Sequence, residues 1–235
     1  MAQHILCIET ATEVCSVAIA RDGQCLLSRS LTEEFRHSSR LTPLIQEVLD
    51  SCDLAPSDLS AVSISDGPGS YTGLRVGSST AKAICYSQDI PLIAISTLQS
   101  IAYGFKINHQ PPQDHIIMPT IDARRMEVYT TFYDHQLNQL ASVSNVIYDN
   151  DYLSMLSKTY NNKTIVICGH GSNKLQTSSL TIPTHITIYP TYCDAKNLCA
   201  LSAHLYQSKT FVETSSHTPY YHKAPKITVP KSKIL

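Results

Sequence analysis

Asp66-Gly-Pro-Gly-Ser-Tyr-Thr-Gly-Leu-Arg-Val-Gly77 lies between the alternating run Val62-Ser-Ile-Ser65 and the stretch Pro91-Leu-Ile-Ala-Ile-Ser-Thr97, and its reading decides the fold. Val62 and Ile64 are β-branched and alternate with serines, which suits a strand. Gly67-Pro68-Gly69 breaks that run, because glycine reaches backbone angles closed to other residues and proline fixes one. From Leu74 the apolar or small residues fall at 74, 77, 81, 84 and 85, the stripe of a helix. The order is strand, glycine turn, helix, strand. A glycine turn that opens a helix presents free N–H groups to an anion, although the same turn serves equally as a tight connection with no ligand. It is not a Walker loop, since no Gly-Lys-Ser/Thr follows at the required offset.

Upstream, Ile5 to Glu9, Val14 to Ala20 and Cys25 to Leu31 read as strands, the last two joined by Arg21-Asp-Gly-Gln24, whose Asp-Gly signals a hairpin. Leu41, Leu44, Ile45, Val48, Leu49 and Cys52 then recur at helical spacing, so an amphipathic helix is expected over Arg36–Cys52. Ser38 or Thr42 can cap it, with Pro43 in the first turn. The order through Thr97 is βββαβαβ.

Downstream, Asn108 to Asp114 reads as a linker between two halves, 1–107 and 108–235. At an offset of 113 residues Ile8-Glu9 falls on Ile121-Asp122, while Val17 and Ile19 fall on Thr130 and Phe132. Each half thus begins as strand, acidic turn, strand, which fits a duplicated βββαβα unit. Ile165-Val-Ile-Cys-Gly-His-Gly171 repeats the strand-to-glycine-turn device, and Asp194–Gln207 is expected to be helical. From His217 to Leu235 there are three prolines, four lysines and no acidic residue, giving an extended basic tail that is either solvated or in contact with a partner protein or a nucleic-acid backbone.

Composition narrows the function classes. Charged residues make up 16% of the chain, below the usual ~25%, and the net charge is −1, so no global field draws it to nucleic acid or membrane. No apolar run approaches the ~18 residues of a membrane span. The start shows no basic segment followed by an apolar core, and a cytoplasmic location is expected. The eight cysteines contain no Cys-x-x-Cys, and Cys7, Cys15 and Cys25 read as buried structural thiols.

The chemistry of an actin-like ATPase needs a first turn rich in glycine, so that backbone N–H groups reach the phosphates. Here that turn is Glu9-Thr-Ala-Thr-Glu13, with no glycine. His109 and His115 straddle two prolines and read as loop histidines. In Cys168-Gly-His-Gly171 the alternation of a strand separates thiol from imidazole. His37 beside Ser38 reads as part of a helix cap.

Asp66 to Gly77, with Ala81-Lys82-Ala83 and Ser96-Thr97-Leu98, closely resembles the bacterial TsaB family, also called YeaZ. Ile8-Glu-Thr-Ala-Thr-Glu-Val-Cys-Ser-Val-Ala18 and Ile121-Asp-Ala-Arg-Arg-Met-Glu-Val-Tyr129 extend the resemblance over roughly the first 135 residues. Pro219-Tyr-Tyr-His-Lys223 stands where the family has Pro-x-Tyr-x-Arg. The resemblance implies an α/β, two-lobed, RNase H-like architecture of the actin, Hsp70 and sugar-kinase type. It also implies a non-catalytic subunit that binds the transferase TsaD, which with TsaE places threonylcarbamoyl on N6 of adenosine 37 in tRNA. ATP and metal would then sit on the partner, with no catalytic, cofactor or metal residue in this chain, and tRNA would be reached indirectly. The catalytic relative carries a His-x-x-x-His pair where Ser96 to Phe105 has no histidine. Self-association as a homodimer stays open. The alternative, a stand-alone actin-like phosphotransferase acting on a small molecule, is opposed by the glycine-poor first turn.

The partner interface is expected on the helices Arg36–Cys52 and Thr72–Tyr86, through Leu41, Leu44, Ile45, Val48, Arg75, Gly77, Ser78, Ala81, Lys82 and Cys85. The competing use of both stripes is packing on the chain's own sheet. Gly67, Pro68, Gly69 and Gly73 form the structural turn, with Gly69 expected to take the angles alanine resists.

Overall fold

In the computed structural model, residues 2–32, 37–161 and 163–223 are described. Strands β1 (His4–Glu9), β2 (Cys15–Arg21) and β3 (Gln24–Leu31) open the chain, followed by helix α1 (His37–Ser51), β4 (Ala61–Gly67), α2 (Tyr71–Gln88) and β5 (Leu92–Ser96). The β2–β3 connection is the expected hairpin, with Asp22 at φ 52° and Gly23 at φ 83°, the pair of left-handed residues a two-residue turn demands. Pro43 lies in the interior of α1 rather than in its first turn, since the helix already runs from His37. Helix α3 (Thr97–His109) follows β5 directly and has no counterpart among the expected elements; the boundary anticipated after 107 falls inside it.

The second half repeats the first. It comprises β6 (Ile116–Asp122), β7 (Glu127–Thr130), β8 (Ser144–Ile147), α4 (Asn150–Thr159), β9 (Ile165–Cys168), the four-residue α5 (Asn173–Gln176), β10 (Ile186–Tyr189) and α6 (Leu198–Gln207). The sheets run β3-β2-β1-β4-β5 and β8-β7-β6-β9-β10, one order used twice. In both, the first three strands are antiparallel and the last two join them in parallel. The basic tail expected from 217 is described only as far as Lys223.

Strand alternation distributes the core of the first sheet. Leu6, Ile8, Val17, Ile19, Val62 and Ile64 face α1 and α2, whereas Ile5, Cys7, Ala18, Ala20, Ala61, Ile93 and Ile95 face the opposite side. That opposite side is covered by Ala195, Leu198 and Cys199 of the last helix and the turn before it, which therefore cross back from the second half. The exchange is mutual: Leu98, Ile101, Ala102 and Phe105 of α3 pack with Ile117, Ile121, Val166 and Cys168 of the second sheet. The two crossing segments meet where Gly104 has no side chain and Asn197 fills the space.

Candidate functional site

The acidic and glycine turns singled out in the sequence lie at the ends of β1, β4, β6 and β9. At the end of β1, Glu9 is fully buried, and its Oε1 accepts hydrogen bonds from Ala11 N (2.7 Å) and Ser65 Oγ (2.7 Å). Burial pushes its carboxyl up to about 7, and Oε2 has no hydrogen-bond partner. The turn is therefore turned inward on itself: an amide that could meet a phosphate donates instead to a buried carboxylate. One of its carbonyls is also engaged, since Ala11 O accepts from Ser70 N (2.7 Å) at the start of α2.

That contact explains the glycine turn after β4. Gly67 carries the left-handed backbone, at φ 113°, and a Cβ there would collide with Tyr220 O. Gly69 is at ordinary angles and is needed for a different reason, because a Cβ would strike the main chain and Cβ of Ala11. The conformational demand expected at Gly69 thus belongs to Gly67. Pro68 is buried between them, and Ser70 caps α2 by accepting from Gly73 N. Gly73 and Gly77 lie against Thr10, so the small residues of α2 bring that helix down onto the first turn.

The second glycine turn copies one detail of the first. Gly67 N donates to Thr97 Oγ1 (3.0 Å), and Gly169 N donates to Thr191 Oγ1 (3.1 Å). It differs at the residue between its glycines, where His170 Nε2 reaches Glu13 Oε1 at 3.0 Å and joins the lobes. Tyr192 stacks on the same imidazole.

The segment after α6 runs over the first glycine turn. His217 Nε2 meets Asp66 Oδ1 at 2.7 Å, Tyr220 N donates to Asp66 O at 2.8 Å, and Lys82 Nζ donates to the carbonyls of Ser215 and His217. Burial raises the Asp66 carboxyl above its ordinary range even with His217 beside it.

Among the described residues no cluster of His, Cys, Asp or Glu could hold a metal ion, and no helix is long and apolar enough to cross a membrane. His109 bonds Phe105 O and stacks on that ring, while His115 pairs with its neighbour Asp114. Cys168 is fully buried and its thiol is pushed up by burial, away from any nucleophilic role. Cys7 and Cys15 are buried as expected; Cys25 is exposed, on the edge strand β3. A cavity of about 370 Å³ lies between α3 and residues 191–197, and neither glycine turn lines it.

Comparison with known proteins decides the family. Residues 33–154, more than half of the chain, match the family model described as TsaD, tRNA N6-adenosine threonylcarbamoyltransferase. The tRNA threonylcarbamoyladenosine biosynthesis protein TsaB of Bacillus subtilis is 34% identical over 172 residues, 72% of each chain. The chain belongs to the TsaB family. The Escherichia coli TsaB is also 34% identical, over 57% of each chain, so there the match spans a little more than half of the relative. The solved structure of YeaZ from Pseudomonas aeruginosa, 23% identical, superposes with a TM-score of 0.72 over 93% of this chain and 99% of that one. At that identity it supports the fold, the two-lobed α/β architecture read from the sequence.

In this TsaB-family chain the expected interface residues fall mostly inside. Leu41, Leu44, Ile45, Val48, Ala81 and Cys85 belong to the core on the α1/α2 side of the first sheet, and Gly77 and Ser78 are buried. The apolar stripes are used against the chain's own sheet, so a partner docking on these helices meets their other faces. Arg75 is exposed, and Lys82 is half-buried under the C-terminal segment. The residues that sequence reasoning misses are Glu13, His170, Asp66 and His217, paired across long chain separations. The Pro219-x-Tyr signature is the one local signal that the C-terminal segment returns to the turn.

Proposed function

We propose that this chain is a non-catalytic subunit of the machinery that makes threonylcarbamoyladenosine in tRNA. It docks a TsaD-like catalytic subunit, which carries the metal and nucleotide, and a TsaE-like ATPase joins that assembly. Family membership supports the pathway, and the observation that carries the non-catalytic role is the sealed first turn. Ala11 N bonds the buried Glu9 carboxyl where a phosphate would have to be received. A chain of this architecture without that opening is better suited to binding than to phosphoryl transfer.

The partner surface we assign is the outward side of α1 and α2. Arg40, Thr42, Pro43, Gln46, Glu47 and Asp50 are exposed on the first helix, and Thr72, Ser79, Ala83 and Tyr86 on the second. Ser79 and Ala83 are small enough to let a helix approach, with Tyr86, 88% exposed, as the apolar anchor. The same faces could pair two copies of the chain when no partner is present.

The test is reconstitution. Threonylcarbamoyl transfer to tRNA should require this chain in addition to the catalytic subunit and the ATPase, while the chain alone should show neither tight Mg-ATP binding nor turnover by calorimetry. Full transfer without it, or turnover by the isolated chain, would refute the proposal.

A further inference from the structure

The C-terminal segment does more than cover the glycine turn. From Tyr220 to Lys223 it crosses from one lobe to the other and carries a ridge made of two ring clusters, Tyr221 belonging to one and Tyr220 with His222 to the other. The Arg75 guanidinium lies 5.5 Å above the Tyr71 ring and donates to its hydroxyl. Tyr71 packs on Tyr221 with centroids 4.7 Å apart. Tyr220 and His222 are 5.9 Å apart and hydrogen-bonded through the hydroxyl and Nδ1 (2.9 Å). His222 then meets Tyr129 of β7 at 5.3 Å, and Lys223 pairs with Glu127 on the same strand. Arg124 and Arg125 sit in the β6–β7 turn, where Arg124 O accepts from Glu127 N (3.1 Å), the residue whose side chain pairs with Lys223.

Charge along this ridge is one-sided despite the chain's net charge of −1. Each carboxylate beside it already has a partner: Asp66 has His217, Glu127 has Lys223, and Asp122 has Lys174 at 2.8 Å. Arg75, Arg124 and Arg125 are exposed, and among the described residues none of the three pairs with a carboxylate. Beyond Lys223 the sequence adds Lys226, Lys231 and Lys233 with no acidic residue.

Exposed rings flanked by unneutralised guanidinium groups are a composition that binds single-stranded nucleic acid. Phosphates take the cations, and unstacked bases lie on the aromatic faces without regard to sequence. A protein-docking face would instead centre on apolar anchors in a desolvated pocket. Every ring here carries a hydroxyl or ring nitrogen, and Tyr71 and Tyr220 are 37% and 43% exposed.

We infer that the C-terminal strap Tyr220–Lys223, with Arg75 and Tyr71 beside it on one lobe and Tyr129, Arg124 and Arg125 on the other, is a docking platform for a single-stranded segment of RNA. The inference deepens the function proposed above and rests on it for the choice of tRNA as the RNA. It gives the subunit a direct contact with the substrate of the assembly, where the family resemblance implied only an indirect one.

Fluorescence anisotropy on the full chain, without any partner, tests this with an unmodified tRNA transcript, a fully paired RNA duplex and heparin as probes. The chain should bind the transcript at about 50 mM salt, more tightly than the duplex. Arg124→Ala with Arg125→Ala should weaken binding and reduce the slope of log affinity against log salt by roughly 0.7 for each phosphate that is no longer neutralised. Tyr220→Ala should weaken the transcript by roughly tenfold and leave heparin unchanged. No binding to the transcript overturns the inference, and so does equal weakening of heparin and transcript in Tyr220→Ala, which marks a patch for any polyanion. Variants that keep tRNA but fail to bind the catalytic subunit in a pull-down make the ridge a protein-docking face and also overturn it. Circular dichroism confirms that each variant is folded. Because binding is read on the isolated chain, its failure is separate from failure of the transfer assay.

Discussion

Glu13 and His170 approach to 3.0 Å from opposite lobes, one from the turn after β1 and the other from the turn after β9. Both side chains are partly exposed, at 31% and 25%, so the pair is worth little in isolation. A double-mutant cycle on Glu13→Gln and His170→Ala, run at a pH where the imidazole is protonated and the carboxylate ionised, should return a coupling of about 0.5–1 kcal/mol at low salt, shrinking as salt is raised. No coupling at low salt would mean that the pair adds nothing to the hold that the exchanged helices α3 and α6 already give the lobes.

Glu9 predicts a pH dependence of opposite sense to that of a salt-bridged carboxylate. The unfolded chain ionises this group at its ordinary value of 4.5, whereas the folded chain retains the proton until about 7. Between those values unfolding releases a proton, so stability falls as pH rises through the window and is lowest above it. The full penalty is on the order of 3 kcal/mol. Glu9→Gln imitates the protonated acid, so it should match the parent near pH 4.5 and exceed it at pH 8. Urea melts at the two pH values decide the matter, and parallel stability curves would contradict the assignment.

The glycine turn separates two kinds of demand. Gly67→Ala meets both a left-handed backbone and a collision with Tyr220 O, while Gly69→Ala meets only Ala11. Both should lower stability, Gly69→Ala on the order of 1 kcal/mol and Gly67→Ala by more. A Gly69→Ala protein with an unchanged melting temperature would show that Ala11 can move aside.

On α2, inward and outward positions should fail differently. Ser78→Glu and Ala81→Glu place a charge where the residue is 4% and 0% exposed, and should unfold the protein. Ala83→Glu, on the exposed face, should leave the circular dichroism spectrum intact and remove binding of the catalytic subunit. Wild-type affinity in folded Ala83→Glu would put the interface elsewhere.

Strand pattern and turn chemistry carry their own information, which is why the duplicated βββαβα order and the Asp22-Gly23 hairpin can be read from residues alone. The stripes on α1 and α2 can be read as well, but periodicity states which residues share a face and is silent on what that face meets. Leu41 and Ala81 therefore look as suitable for a partner as for the core. Helix α3 is hidden because Ser100 and Gly104 interrupt its apolar pattern, and both are buried against neighbouring elements. Gly67 and Gly69 are indistinguishable in sequence, since a backbone angle and a lack of space both select glycine. The pairing of Asp66 with His217 spans 151 residues and arises only once the chain has folded.

The exchange of α3 and α6 makes each half the roof of the other's core. A break between His109 and Ile116 would not release two self-sufficient modules. A fragment ending at 109 would leave Ile5, Cys7, Ile93 and Ile95 without the side chains of Leu198 and Cys199 above them. A gene truncated at the repeat boundary would therefore encode a protein with a bare hydrophobic sheet, prone to aggregation.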